Sequence, residues 1–143
     1  MRIMFVDDER RRMRLYVEEL QDNGHEVLFE DNVDSALAVI EDPTRHFDLL
    51  VLDISMPPGE TFEFEDTRGG ARTGLALYDK IRGLRPDLKI VALTSVAERR
   101  VVEQLTRENP RLCLFLRKPE NLPFLFAQKV ETFLSRTADT DNL

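Results

Sequence analysis

FDLLVLD, residues 47–53, carries four consecutive apolar side chains at 49–52 and stops on a carboxylate. An apolar run this short and unbroken fits a strand covered on both faces, as in a parallel sheet flanked by helices. The same unit, a short strand followed by helical spacing, recurs on either side. IMFV at 3–6 precedes Met13, Tyr16, Val17 and Leu20, and Gly24 suits the left-handed position that ends a helix. HEVLFE at 25–30 precedes Val33, Ala36, Leu37 and Ile40, with Pro43 closing the helix. After Asp53 the helix is delayed until about Thr73, where Leu77, Tyr78, Ile81 and Leu84 supply its stripe ahead of Pro86. KIVAL at 89–93 and SVAERRVVEQLTRE at 95–108 form the fourth unit. LCLFL at 112–116 and the stripe Leu122, Leu125, Phe126, Val130 and Phe133 form the fifth. Five such units predict an α/β fold, a parallel sheet between helices, because parallel neighbours need crossover connections. The period does not give the spatial order of the strands.

The chain of 143 residues suits one domain, and 42% hydrophobic with 33% charged residues suits a soluble globular one. A formal charge of −7 disfavours extended, nonspecific nucleic-acid binding. The densest basic group, Arg10, Arg11, Arg12 and Arg14, reads as a solvated helix face. A single cysteine, Cys113, permits no internal disulfide. No secretory leader or membrane-spanning run is visible, so a cytoplasmic location without a membrane role is expected.

In sheets of this kind ligands bind beyond the carboxyl ends of the strands. Asp7 and Asp8 follow strand one, Asp53 follows strand three, Thr94 follows strand four and Lys118 follows strand five. Each alone reads as a cap or an exposed terminus; together they gather at one sheet edge. Three adjacent carboxylates repel and raise one another's proton affinity unless a cation compensates them. Mg²⁺ answers this when phosphate oxygens and water complete its shell. A carboxylate beside such an ion and an ammonium suits nucleophilic attack on phosphorus, giving an aspartyl phosphate.

The pieces VDDE at 6–9, VLDISMPPG at 51–59, LTS at 93–95 and LRKP at 116–119, in this order and at strand ends, resemble a response-regulator receiver domain of two-component signalling, CheY-like. The resemblance implies a flavodoxin-like, doubly wound five-stranded parallel sheet in the order 2-1-3-4-5 flanked by five helices. It implies Asp53 as phosphoacceptor, Asp8 as direct Mg²⁺ ligand with Asp7 holding metal-bound water, and the Ser55 backbone carbonyl on the metal. The Ser55 side chain would influence the approach of hydrolytic water. Thr94 would donate to the phosphoryl group, Lys118 would contact it, and Lys118–Pro119 would commonly be cis. Phe115 would follow Thr94 inward or outward, with helix four, strand five and helix five as the reporting surface. Such a domain catalyses its own phosphorylation and dephosphorylation rather than acting as a dedicated enzyme. Its partners would be a histidine kinase or histidine phosphotransfer protein and a downstream protein or output domain, with homodimerisation open. A phosphorylation-independent scaffold is the alternative.

One departure stands out. In the family a Gly follows the acceptor after a short loop, whereas here the Gly resembling it is Gly74. A receiver over 1–134 with an insertion at about 59–72 is therefore expected, followed by a fraying tail at 135–143. TFEFE at 61–65 alternates as a short edge strand or hairpin would, and the segment reads as a solvated elaboration or a partner-recognition flap. GGARTG lacks the spacing and the Lys of a phosphate-binding Walker loop. His25 and His46, at the opposite end from the candidate site, read as solvated.

Overall fold

The structure is a computed structural model and describes residues 1–95 and 98–136. In chain order the elements are β1 (Arg2–Val6), α1 (Arg10–Asp22), β2 (Glu26–Glu30), α2 (Val33–Glu41), β3 (Leu49–Leu52), α3 (Thr73–Leu84), β4 (Lys89–Thr94), α4 (Arg99–Thr106), β5 (Cys113–Arg117) and α5 (Pro123–Ser135). The sheet order is β2-β1-β3-β4-β5 with every neighbouring pair parallel, which is the doubly wound arrangement expected.

Side chains of the central strands alternate between two apolar layers. Met4, Val6, Leu50, Leu52, Ile90 and Ala92 pack with Ala36, Leu37, Leu77, Ile81, Val101 and Leu105 on the side of α2, α3 and α4. Ile3, Phe5, Leu49, Val51, Val91 and Leu93 pack with Tyr16, Leu20, Phe126, Val130 and Phe133 on the side of α1 and α5. Burial on both faces is why these strands read as nearly unbroken apolar runs.

The register aligns the carboxyl ends, pairing Val6 with Leu52 and Leu52 with Ala92. One residue further on, the Asp53 N–H still donates to the Val6 carbonyl at 3.0 Å, so the backbone carrying the carboxylate continues the ladder. At Gly74 the start of α3 meets this strand end. The Gly74 N–H donates to the Ile54 carbonyl at 2.7 Å, and a Cβ there would lie 2.1 Å from the Asp53 carbonyl oxygen. Only glycine fits that approach.

Several expectations are corrected. Leu84, Leu122 and Leu125 are exposed rather than buried. Leu84 is the last residue of α3, and Leu122 precedes the first turn of α5, whose inward phase runs through Phe126, Val130 and Phe133. α4 is shorter than the expected 95–108, since Glu98 is still extended; Val96 and Ala97 lie outside the described residues. TFEFE is a series of turns and not a strand. It follows β3, a central strand already paired on both sides with β1 and β4, so it cannot pair with the strand it leaves. His25 is not solvated: its side chain is 7% exposed, with Nε2 paired to Glu131 of α5 and Nδ1 3.2 Å from the Met1 amine. His46 is exposed. The expected tail includes Ser135, which closes α5; from residue 137 it lies outside the described residues.

Candidate functional site

Asp7 is fully buried at the end of β1. Its Oδ1 accepts the Glu9 N–H at 2.8 Å, and its Oδ2 accepts Lys118 Nζ at 2.9 Å. The same ammonium lies 3.5 Å from Asp53 Oδ2, so one cation bridges the ends of two neighbouring strands. Asp8 is exposed beside them, and one carboxylate oxygen from each of Asp7, Asp8 and Asp53 lies within 4.8 Å of the other two. Thr94, fully buried, closes β4.

Electrostatics in this corner follows from burial and from the excess of carboxylates. Burial and then the Asp7 carboxylate push the Asp53 carboxyl up to about 6, against the opposing pull of Lys118, the Thr94 side chain and the Ser55 backbone N–H. Asp8 is raised as well, by burial first and by Asp7 second. Burial pulls Lys118 down, but Asp53 and Asp7 outweigh it and keep the ammonium protonated beyond its ordinary range. Among the described residues a single ammonium serves the corner, which leaves the three carboxylates under-compensated.

The donor set fits a hard divalent cation. All three ligand groups are carboxylate oxygens close enough to share one ion, and among the described residues Asp53 Oδ1 is buried without a hydrogen-bond partner. Such an ion would relieve both the repulsion and the orphaned oxygen.

The residues expected from the sequence therefore meet at one edge, with Ser55 half-buried next to Asp53 and Phe115 half-buried against the α2, α3 and α4 layer. Lys118–Pro119 is trans, unlike the isomer the resemblance suggested; among the described residues there is no cis peptide bond, and Lys118–Glu120 forms a short 3-10 turn. Two features were not read from the sequence. Arg72, just before α3, pairs with Glu98, just before α4. Asn121 is buried behind the Lys118 turn, and its one sequence signal is a lone amide between Pro119 and Pro123.

A model of the response regulator receiver domain matches residues 3–128. The chain belongs to this family. No curated protein matches it significantly. Among solved structures, the receiver domain is similar to a CheY-like response regulator receiver domain protein from Methanospirillum hungatei, with 27% identity, a TM-score of 0.71, and 93% of this chain and 92% of that chain covered. It is also similar to the response regulator TrrA of Thermotoga maritima, solved in complex with Mg²⁺ and BeF, with 29% identity, a TM-score of 0.67, and 92% and 97% covered. A third is NtrX of Brucella abortus, with 30% identity and a TM-score of 0.68, where 93% of this chain matches 26% of that one. Receiver domains accept phosphoryl groups in two-component signalling, bind Mg²⁺ at an acidic pocket, and interact with histidine kinases or phosphotransfer proteins and with output domains. Among the described residues no helix is long and apolar enough to cross a membrane.

Proposed function

We propose that this receiver accepts a phosphoryl group on Asp53 from a histidine kinase or histidine phosphotransfer protein and signals in the cytoplasm through phosphorylation-dependent protein contacts. The observation that carries the reading is Lys118 Nζ, held between Asp7 at 2.9 Å and Asp53 at 3.5 Å in a corner of three carboxylates. Asp7, Asp8, Asp53 and the Ser55 carbonyl would hold Mg²⁺, which when bound neutralises charge on phosphoryl oxygens.

A carboxylate oxygen of Asp53 attacks the phosphorus. The bond from phosphorus to the donor's imidazole nitrogen breaks, its electron pair leaves with the ring, and the ring nitrogen takes a proton from solvent. Asp53 must be ionised to attack; in the metal-free corner burial and Asp7 oppose ionisation, and a bound divalent cation would favour it. Lys118 is already aimed at the corner and can turn from its carboxylate partners to a phosphoryl oxygen without crossing solvent. Thr94, at the end of β4, donates its hydroxyl to the same group. On the neighbouring strand Phe115 pairs with Ala92 of β4, so a shift of the Thr94 end changes the space open to Phe115 and the face formed by α4, β5 and α5.

Intact-protein mass measurement after acetyl phosphate and Mg²⁺ tests this. One phosphoryl adduct is expected on the native chain, none after Asp53→Ala, and none with the metal chelated. Lys118→Met should slow labelling about a hundredfold, as loss of a preorganised charge does. An adduct that survives Asp53→Ala overturns the assignment, and a native chain that takes no label favours a phosphorylation-independent scaffold.

A further inference from the structure

Lys118 is flexible enough to reach solvent, yet its ammonium points inward, and the backbone that carries it is held by a residue three positions on. Asn121 is 3% exposed. Its Nδ2 donates to the Arg117 carbonyl at 2.9 Å, and its backbone N–H donates to the Lys118 carbonyl at 3.2 Å. The peptide groups on both sides of Lys118 are thus held by one residue. Pro119 and Pro123 have no N–H to offer, and the Asn121 side-chain amide adds a donor to this turn.

Asn121 is itself held from two helices. The Tyr16 hydroxyl of α1 donates to the Asn121 carbonyl at 2.9 Å, and Lys129 Nζ of α5 donates to Asn121 Oδ1 at 2.5 Å. Tyr16 in turn stands edge-on to Phe126 of α5 with ring centroids 5.3 Å apart. An Asn just before a helix ordinarily caps it, but the N-terminus of α5 is at Leu122 and takes no side-chain cap. A buried amide with every polar group used and no capping duty is costly to keep unless its placement matters.

We infer that Asn121 is a positioning residue for phosphoryl transfer: clamped by Tyr16 and Lys129, it fixes the turn that aims the Lys118 ammonium at Asp7 and Asp53. This rests on the function proposed above. Asn121→Asp keeps the shape and the Lys129 contact but replaces the Nδ2 donor with an oxygen facing the Arg117 carbonyl, so it disturbs the Lys118 turn with the least damage to folding. Asn121→Ala removes the clamp altogether.

The test is a double-mutant cycle on the rate of acetyl phosphate labelling in Mg²⁺. Asn121→Asp should slow labelling about tenfold, the effect of one lost hydrogen bond to a placed group, and should slow the Lys118→Met chain no further. A native-like rate in Asn121→Asp, or an equal slowing with and without Lys118, overturns the inference. A merely structural Asn121 would show that second pattern. A separate readout needs no phosphorylation: site-resolved acylation of lysines by mass spectrometry. Lys118 should become about fivefold more reactive in Asn121→Asp and in Asn121→Ala while exposed Lys80 stays constant, a rise of the order expected when one hydrogen bond is lost. If the native chain takes no phosphoryl group, the proposed function fails and this footprint alone decides; unchanged Lys118 reactivity then overturns the inference.

Discussion

The carboxylate corner at the ends of β1 and β3 and the connection 54–72 that leaves it are both acidic, and they treat acidity in opposite ways. In the corner Asp7 and Asp53 are buried, crowd one another, and share the Lys118 ammonium. In the connection Glu60, Glu63, Glu65 and Asp66 all face solvent, where water and salt screen them. The connection is held by ordinary satisfied interactions. The Asp34 carboxylate of α2 accepts the N–H groups of Glu60 and Thr61 at 3.0 and 2.9 Å and also the Thr61 hydroxyl, which draws its carboxyl below the usual range. Phe62 is 3% exposed and packs into the core layer, while Phe64, two residues on, is 95% exposed. Gly70, at φ +96°, brings its carbonyl to the Met56 N–H at 3.0 Å. Removing a buried carboxylate from the corner therefore relieves repulsion, whereas removing a buried side chain from the connection leaves a gap. Stability and chemistry are separated along the chain.

Mutations can break or sharpen this contrast. The largest change is expected for Phe62→Ala, which empties a buried site in the connection and should cost about 3 kcal/mol in urea unfolding. Asp53→Asn should do the reverse and stabilise by about 2–3 kcal/mol at neutral pH without divalent metal. The folded-state pKa of about 6 lies above the ordinary value of 3.8, so the folded chain binds more protons between those values and loses stability as pH rises through them. The advantage of the Asp53→Asn chain over the native one should thus be small at pH 4 and full above pH 7. Added Mg²⁺ should shrink it by stabilising the native chain preferentially. Asp34→Ala releases the donors of Glu60 and Thr61 and should cost about 1 kcal/mol with labelling by acetyl phosphate unchanged. Phe64→Ser should change the unfolding free energy by less than about 0.5 kcal/mol, because a side chain already in solvent has no packing to lose. A large loss for Phe64→Ser, or destabilisation by Asp53→Asn, would erase the distinction between the two regions.

Much of this molecule was legible before folding because its signals are local. The apolar run 49–52, the helical stripes and the polar residues at the strand ends needed no partner to be recognised, and the parallel topology then brought Asp7, Asp8, Asp53, Thr94 and Lys118 to one edge. Asn121 was not legible, since its use depends on Tyr16 and Lys129 arriving from two separate helices. The alternation of TFEFE was legible and misleading: pattern offers a strand, but a strand needs a free neighbour, and β3 lies in the middle of the sheet. His25 likewise looks solvated until α5 delivers Glu131. What the sequence determined alone was the alternating architecture and the chemical kinds present at the strand ends, because periodicity and chain order are properties of the chain itself. Which Phe is buried, what holds the Lys118 turn and how strongly Asp53 clings to its proton were decided only in three dimensions, because burial and electrostatic coupling depend on neighbours that chain order does not specify.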